Sequence, residues 1–411
     1  MKSTDCKTPS LKRSLSLPLI VLYGLGTTIG AGIYVLIGKV AGAAGLYAPI
    51  SFLIASLLAG LSAFSFAELA GRLPFSAGEA VYVHTATGSR RLATFVGLLV
   101  VTTGLVSSAA IVHGFVGYFQ EFITAPDWLI IVGIVLGLGG LAAWGIVESV
   151  TAAAIITLVE IGGLFFIIGG GINVLPEAMT HLPDFWPPFE GGAWLGIFFG
   201  SVLAFYAFIG FEDMVNVAEE VKNVRRNLPL AIVLTLGITT LLYTVIAFIA
   251  VAALPPDELA EARAPLARLF ERTTGASSTP ISLIAILAVL NGALIQIVMA
   301  ARVLYGLAAR GWITATLGRV HPVTRTPLRA TGLIMVLLMA LALWLPLITL
   351  AEITAIVTLI IFSLVNFSLF RLKRLQPAPD GTWTVWPWVP LLGGFACLGF
   401  ILFRLIGKIA S

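Results

Sequence analysis

Thr28-Ile29-Gly30-Ala31-Gly32 and Phe208-Ile209-Gly210-Phe211-Glu212-Asp213 each interrupt a long apolar run near its middle. Glycine leaves the backbone unshielded and weakens a helix interior, and hydrocarbon offers no water to the backbone groups released. A break at such a depth persists only where something else binds it. Two Gly-interrupted spans at corresponding positions of two halves point to a transporter whose cargo sits at the midplane between half-helix ends. Helix packing is the plainer alternative, since Gly26 and Gly30 form a G-x-x-x-G. Two breaks in register, with two carboxyl groups beside the second, favour the transporter reading.

The composition agrees. Hydrophobic residues make up 59% of the 411 and charged residues 11%, with a mean hydropathy of +1.03, far on the membrane side of the soluble range. The apolar runs are long enough for helices of about 20 residues rather than the short alternating segments of a barrel. The fold class expected is therefore an all-α polytopic membrane protein. Eleven spans follow, at 15–38, 46–71, 92–120, 128–147, 150–172, 192–218, 228–254, 279–309, 328–346, 348–371 and 386–407. The basic start imitates a secretory signal, but the run from Leu15 to Gly38 is too long for one and reads as the first span. With the N-terminus in the cytoplasm, 18 Lys and Arg fall inside and 6 outside, a strong positive-inside bias. An odd span count leaves the C-terminus outside.

Between spans, Pro255–Pro280 carries Leu259, Leu266, Leu269 and Phe270 among charges, the pattern of a short amphipathic helix that caps an outer vestibule. Trp312–Thr326 reads as loop. Cys6 and Cys397 suit neither a disulfide framework nor a zinc site. With no P-loop, no H-E-x-x-H and no G-x-S-x-G, ATP-driven transport and enzyme activity lack support, and no cofactor, metal or nucleic acid is implied.

Ionisable residues inside spans are functional candidates by default. Glu160 stands without a basic neighbour in sequence, which suits either a proton-binding switch or a neutral carboxyl bridging two helices. Glu212 and Asp213 follow the second break directly and suit cation binding, proton carriage, or simple saturation of backbone amides exposed there. Glu68 has Arg72 one turn on, an intrahelical ion pair. Glu352 snorkels to water, and His113 reads as a satisfied core histidine.

Several stretches together resemble the amino acid permeases of the amino acid–polyamine–organocation superfamily over nearly the whole chain. They are Gly24-Leu25-Gly26-Thr27-Thr28-Ile29-Gly30-Ala31-Gly32-Ile33-Tyr34, Ala67-Glu68-Leu69-Ala70-Gly71-Arg72-Leu73-Pro74, Ala207-Phe208-Ile209-Gly210-Phe211-Glu212, Ala218-Glu219-Glu220-Val221-Lys222-Asn223 and Ala300-Ala301-Arg302-Val303-Leu304-Tyr305-Gly306. The resemblance implies a single transmembrane domain over 1–411: a cytoplasmic tail at 1–14, inverted repeats of five helices at 15–172 and 192–374 with the first and sixth helices broken, and an additional helix at 386–407. It implies that backbone amides of Ile29, Gly30, Ala31 and Gly32 hold an amino acid carboxylate. Carbonyls of Tyr206, Ala207 and Ile209 then hold the α-ammonium, and Tyr206 closes over the substrate. Ser107 and Ser108 of the third span are further pocket candidates.

Three departures from the family pattern stand out. Glu160 fills a fifth-span position where many members carry a Lys. The eighth span offers Asn291, Gln296 and Met299 but no Thr/Ser pair of the kind sodium-coupled relatives use. Eleven spans replace the usual twelve. The expected function is secondary active amino acid transport across the plasma membrane, a symport with protons in which Glu160, Glu212 and Asp213 are the proton-coupling candidates. The alternatives are an amino acid or amine exchanger and a non-transporting amino acid sensor. The expected partners are a small-molecule amino acid, the proton and membrane lipid.

Overall fold

The computed structural model describes residues 15–74, 78–144, 150–189, 191–322, 324 and 326–410. The expected tail at 1–14, with Cys6, and the junction at Glu148-Ser149 lie outside the described residues. Within them the chain forms fifteen α-helices and five 3-10 segments. The first six are α1 (Leu17–Ala44), α2 (Ala48–Arg72), α3 (Gly78–Thr87), α4 (Arg90–Phe119), α5 (Asp127–Trp144) and α6 (Val150–Gly171). A short α7 (Leu175–Thr180) leads to α8 (Gly191–Tyr206) and α9 (Val224–Ala253). Next come α10 (Pro256–Glu261), α11 (Pro265–Thr274), α12 (Thr279–Ala309), α13 (Leu328–Trp344), α14 (Leu347–Leu375) and α15 (Trp388–Ala410).

Nine helical stretches among the described residues are long and apolar enough to cross a membrane, beside the shorter apolar helices Leu17–Gly30 and Leu328–Trp344. Together they occupy all eleven expected apolar runs; Gly32–Arg72 forms one stretch because only the 3-10 turn Gly45–Tyr47 separates α1 from α2. The chain is a polytopic helical membrane protein. Burial grades the helices: 78% of the apolar window of α4 and 72% of that starting in α8 are buried, against 28% for α5 and 33% for α15. The interrupted helices and α4 thus lie at the centre, while α5 and α15 sit at the rim.

The two interruptions differ in form. In α1 the chain stays helical on either side of Gly30, whose φ of −3° and ψ of −116° are far from helical values. The sixth apolar run is not one interrupted helix: α8 ends at Tyr206, the next residues turn, Gly210 takes φ +127°, and Phe211–Glu220 winds as 3-10 helix. That φ is open to glycine at no steric cost. The start of α1 is tied to the end of this segment, with Leu15 N donating to Glu220 O (3.0 Å) and Lys222 N donating to Leu15 O (2.9 Å).

Two connections carry more structure than their sequence suggests. The stretch between α2 and α4 reads as loop, yet α3 forms there and buries Glu79, Tyr82 and Val83. The expected outer amphipathic helix is two helices, each opened by proline in its first turn, where the missing N–H costs nothing. Leu259, Leu266, Leu269 and Phe270 are all buried, and Lys39 of α1 donates to the Ala260 carbonyl.

Candidate functional site

The two breaks touch backbone to backbone. A Cβ added at Gly32 would lie 2.5 Å from the Cα of Ala207, and one at Gly210 would overlap the Thr27 carbonyl. The single hydroxyl proton of Thr27 has Gly210 O (3.0 Å) and Gly24 O of its own helix (2.9 Å) within reach of Oγ1. Thr28 Oγ1 donates to Gly24 O (2.8 Å), and Tyr243 OH of α9 donates to the Thr28 carbonyl (2.9 Å). Side chains thus satisfy carbonyls that a break would otherwise strand in an apolar interior. The G-x-x-x-G splits into two roles. A Cβ at Gly26 would collide with Thr157 of α6, so Gly26 is a packing glycine. At Gly30 the nearest atoms, Ala288 O and Gly292 Cα of α12, would stand 3.9 Å away, so close packing is not what demands glycine there.

Beyond the second break, Glu212 and Asp213 are buried. Glu212 Oε2 accepts from the Gly210 amide (2.8 Å), the amide-saturating role that its position next to the break allows. Asp213 Oδ2 accepts from Gln296 Nε2 of α12 (3.2 Å). Both carboxyls line a narrow cavity of about 10 Å³, close to the space one water needs. Glu79 of α3, Thr103 of α4, Ile209, Gln296 and Met299, and Thr358 of α14 also line it. Burial pushes the Glu79 carboxyl up from 4.5 to about 7. Sequence reasoning missed Glu79, because its apolar neighbourhood Ala80-Val81-Tyr82-Val83 is too short to be a span; the only signal was that such a run is out of place in a solvated loop.

Tyr206 and Ser107 are brought together: their hydroxyls are 3.0 Å apart, and both residues are buried. Ser108 instead donates to Gly104 O of its own helix (2.7 Å). Ile209 joins the cavity wall, Ala207 packs on Gly32, and Ile29 is fully buried in α1. Gly30 and Gly32 do not line the cavity, and the Ala31 side chain lies outside what the structure describes.

Glu160 stands apart from Glu212 and Asp213. It is fully buried on α6, its Oε1 3.4 Å from Asn291 Nδ2 of α12, and its backbone carbonyl accepts from Tyr34 OH of α1 (2.8 Å). Tyr118 OH of α4 in turn donates to the Tyr34 carbonyl (2.6 Å). The three proton-coupling candidates therefore occupy two places, one between α1, α6 and α12, the other beside α3, α4, α12 and α14.

Other charged groups serve packing. Glu68 pairs with Arg72 (2.7 Å) as its spacing indicates, and also with Lys373 of α14 (2.7 Å) and the Val385 amide (2.8 Å). Glu352 does not simply snorkel: it pairs with Arg404 of α15 at 2.5 Å, and the Arg404 guanidinium lies 5.2 Å from the centre of the Phe199 ring. His113 Nε2 meets the Leu345 carbonyl at 3.0 Å, a bond from α4 to the turn between α13 and α14.

Comparison with known proteins matches residues 15–410 to the amino acid permease family. The chain is 30% identical to the branched-chain amino acid permease BcaP of Bacillus subtilis over 97% of its own length and 88% of that protein's. It is 27% identical to a methylthioribose transporter of the same organism over 97% and 90% of the two chains. A vacuolar cationic amino acid transporter 4 of Arabidopsis thaliana is 32% identical over 89% of this chain and 64% of its own.

Proposed function

The chain belongs to the amino acid permease family, as a membrane transporter rather than an enzyme, and we propose that it carries amino acids by alternating access as a proton-coupled secondary transporter. The observation that carries this reading is the backbone contact between the two breaks, Gly32 on Ala207 and Gly210 on Thr27. Two interrupted spans, one a kinked helix and the other a helix followed by a turn and a 3-10 segment, that meet at their interruptions bring segment ends of both polarities to one point. Amides of Ile29 to Gly32 then face a carboxylate, and carbonyls of Tyr206, Ala207 and Ile209 face an ammonium. Tyr206, anchored on Ser107, closes over the pair.

In this reading the two halves, 15–172 and 192–374, form inverted repeats of five helices, and the N-terminus faces the cytoplasm across the plasma membrane. Glu160 takes the coupling proton. Its place between α1, α6 and α12 joins the broken first helix to helices that a change of access would shift relative to it. A carboxyl there is costly as an anion while dry and cheap once the inner pathway hydrates it, so proton binding and release follow the access cycle.

Proteoliposomes decide among the readings. Symport produces substrate-dependent acidification of the interior without internal amino acid. Exchange requires internal substrate, and a sensor moves nothing. Absence of any amino acid-dependent flux in either arrangement would overturn the proposal.

A further inference from the structure

The cavity beside the second break carries more acceptors than amide saturation or proton carriage needs. Glu79, Glu212 and Asp213 converge on it, and no lysine, arginine or histidine lines it among the described residues. Two further polar atoms on its wall, Gln296 Oε1 and Thr358 Oγ1, have no hydrogen-bond partner, although Gln296 is 6% and Thr358 1% exposed. A buried acceptor left unmatched is costly, so such a wall is complete only with a donor inside it. A cationic donor fits this wall best, because it also offsets whichever of the three carboxyls is ionised in a space that holds no compensating charge. It must be compact, because the space is that of about one water, which is also the size of a primary ammonium head. Three N–H donors on a point charge match the scattered oxygens, whereas a planar guanidinium fork is too broad.

The distance from the breaks fits as well. Gly30 faces Gly292 of α12, and Gln296 lies one turn further toward the end of that helix bearing Arg302, about 6 Å along its axis. Ile209, a wall residue of the cavity, also supplies one of the carbonyls proposed to accept from the α-ammonium. An extended four-carbon stem covers that distance, and Ile209 and Met299 offer it apolar wall.

We propose that this cavity is a cation subsite for the distal ammonium group of the transported amino acid, so that the chain carries diamino acids of lysine length. The inference rests on the reading of the breaks as an amino acid site. It adds Glu79, Gln296 and Thr358 as specificity residues.

Lysine and norleucine share one six-carbon chain and differ only in that norleucine carries a hydrogen where lysine carries its distal ammonium; they are the probes. Their affinities for the full chain in detergent or proteoliposomes are measured by competition, with Glu79→Gln and the near-isosteric Thr358→Val alongside. Wild type should prefer lysine by at least about tenfold, the worth of hydrogen bonds to a charged group, and both variants should lower the lysine-to-norleucine ratio, Glu79→Gln the more strongly. Equal affinity for the two probes in wild type, or a ratio untouched in both variants, overturns the subsite while leaving amino acid transport intact. Failure of every amino acid to bind removes the underlying reading and the subsite with it.

Discussion

Gly32→Ala and Gly30→Ala, two residues apart, should behave oppositely. A methyl at position 32 would stand 2.5 Å from the Cα of Ala207 and 3.1 Å from its carbonyl oxygen, both backbone atoms that cannot rotate away. Relieving it requires the broken segments to move apart by about 1 Å, since carbon atoms pack at about 3.5–4.0 Å. Overpacking of that kind costs about 1–3 kcal/mol, a substantial part of the 5–15 kcal/mol that holds a typical fold. A methyl at position 30 meets only Ala288 O and Gly292 Cα at 3.9 Å, ordinary contact with no such cost. Thermal unfolding of the purified variants in detergent, paired with amino acid binding, is the assay. Gly32→Ala should unfold several degrees lower and bind more weakly, whereas Gly30→Ala should unfold near wild type. Bulk at position 30 is another matter: Gly30→Leu should fold yet lose binding, because its side chain fills the space where substrate meets the backbone. Identical unfolding temperatures for Gly32→Ala and Gly30→Ala would refute the contact between the breaks. Undiminished binding in Gly30→Leu would refute the site.

Tyr206→Ala should cost about 3–5 kcal/mol of stability and permit leak, while Tyr206→Phe loses only the bond to Ser107, about 1 kcal/mol, and keeps transport; uptake and unfolding measured together test both. Glu160→Gln mimics the protonated acid, so it should bind and exchange amino acid but not concentrate it; accumulation driven by a proton gradient in that variant would remove Glu160 from coupling. Glu68→Ala leaves Arg72 and Lys373, only 8% and 11% exposed, without their shared carboxylate, and should destabilise by about 3–5 kcal/mol, read by unfolding in detergent. Glu79 supplies a pH dependence: its folded value near 7 lies above the ordinary 4.5, so between these the folded state holds more protons and stability falls as pH rises, by about 3 kcal/mol in all. Glu79→Gln should therefore gain on wild type in unfolding temperature from pH 4.5 to 7, and a difference that is flat with pH would contradict the buried acid.

The apolar runs and the two glycine interruptions were legible because each is a local property: length against the bilayer and loss of a side chain at depth. Glu68 with Arg72 was legible for the same reason, four residues being one helical turn. What escaped depends on partners distant in sequence. Gly26 and Gly30 belong to one G-x-x-x-G, yet only the approach of Thr157 to the first and its absence at the second separates a packing glycine from a break. Glu352 lacks a partner nearby in sequence, and Arg404 reaches it from 52 residues away. Glu79 is the clearest case, since its carboxyl matters only because α3 folds back against α4 and α14 and delivers it to the same small space as Glu212 and Asp213. Periodicity cannot register that delivery, because a ten-residue helix packed on the spans has not their length. Proximity of charge to charge in a dry space is nevertheless what sets its energy, so the residues that local reasoning finds hardest are those on which selectivity is proposed to rest.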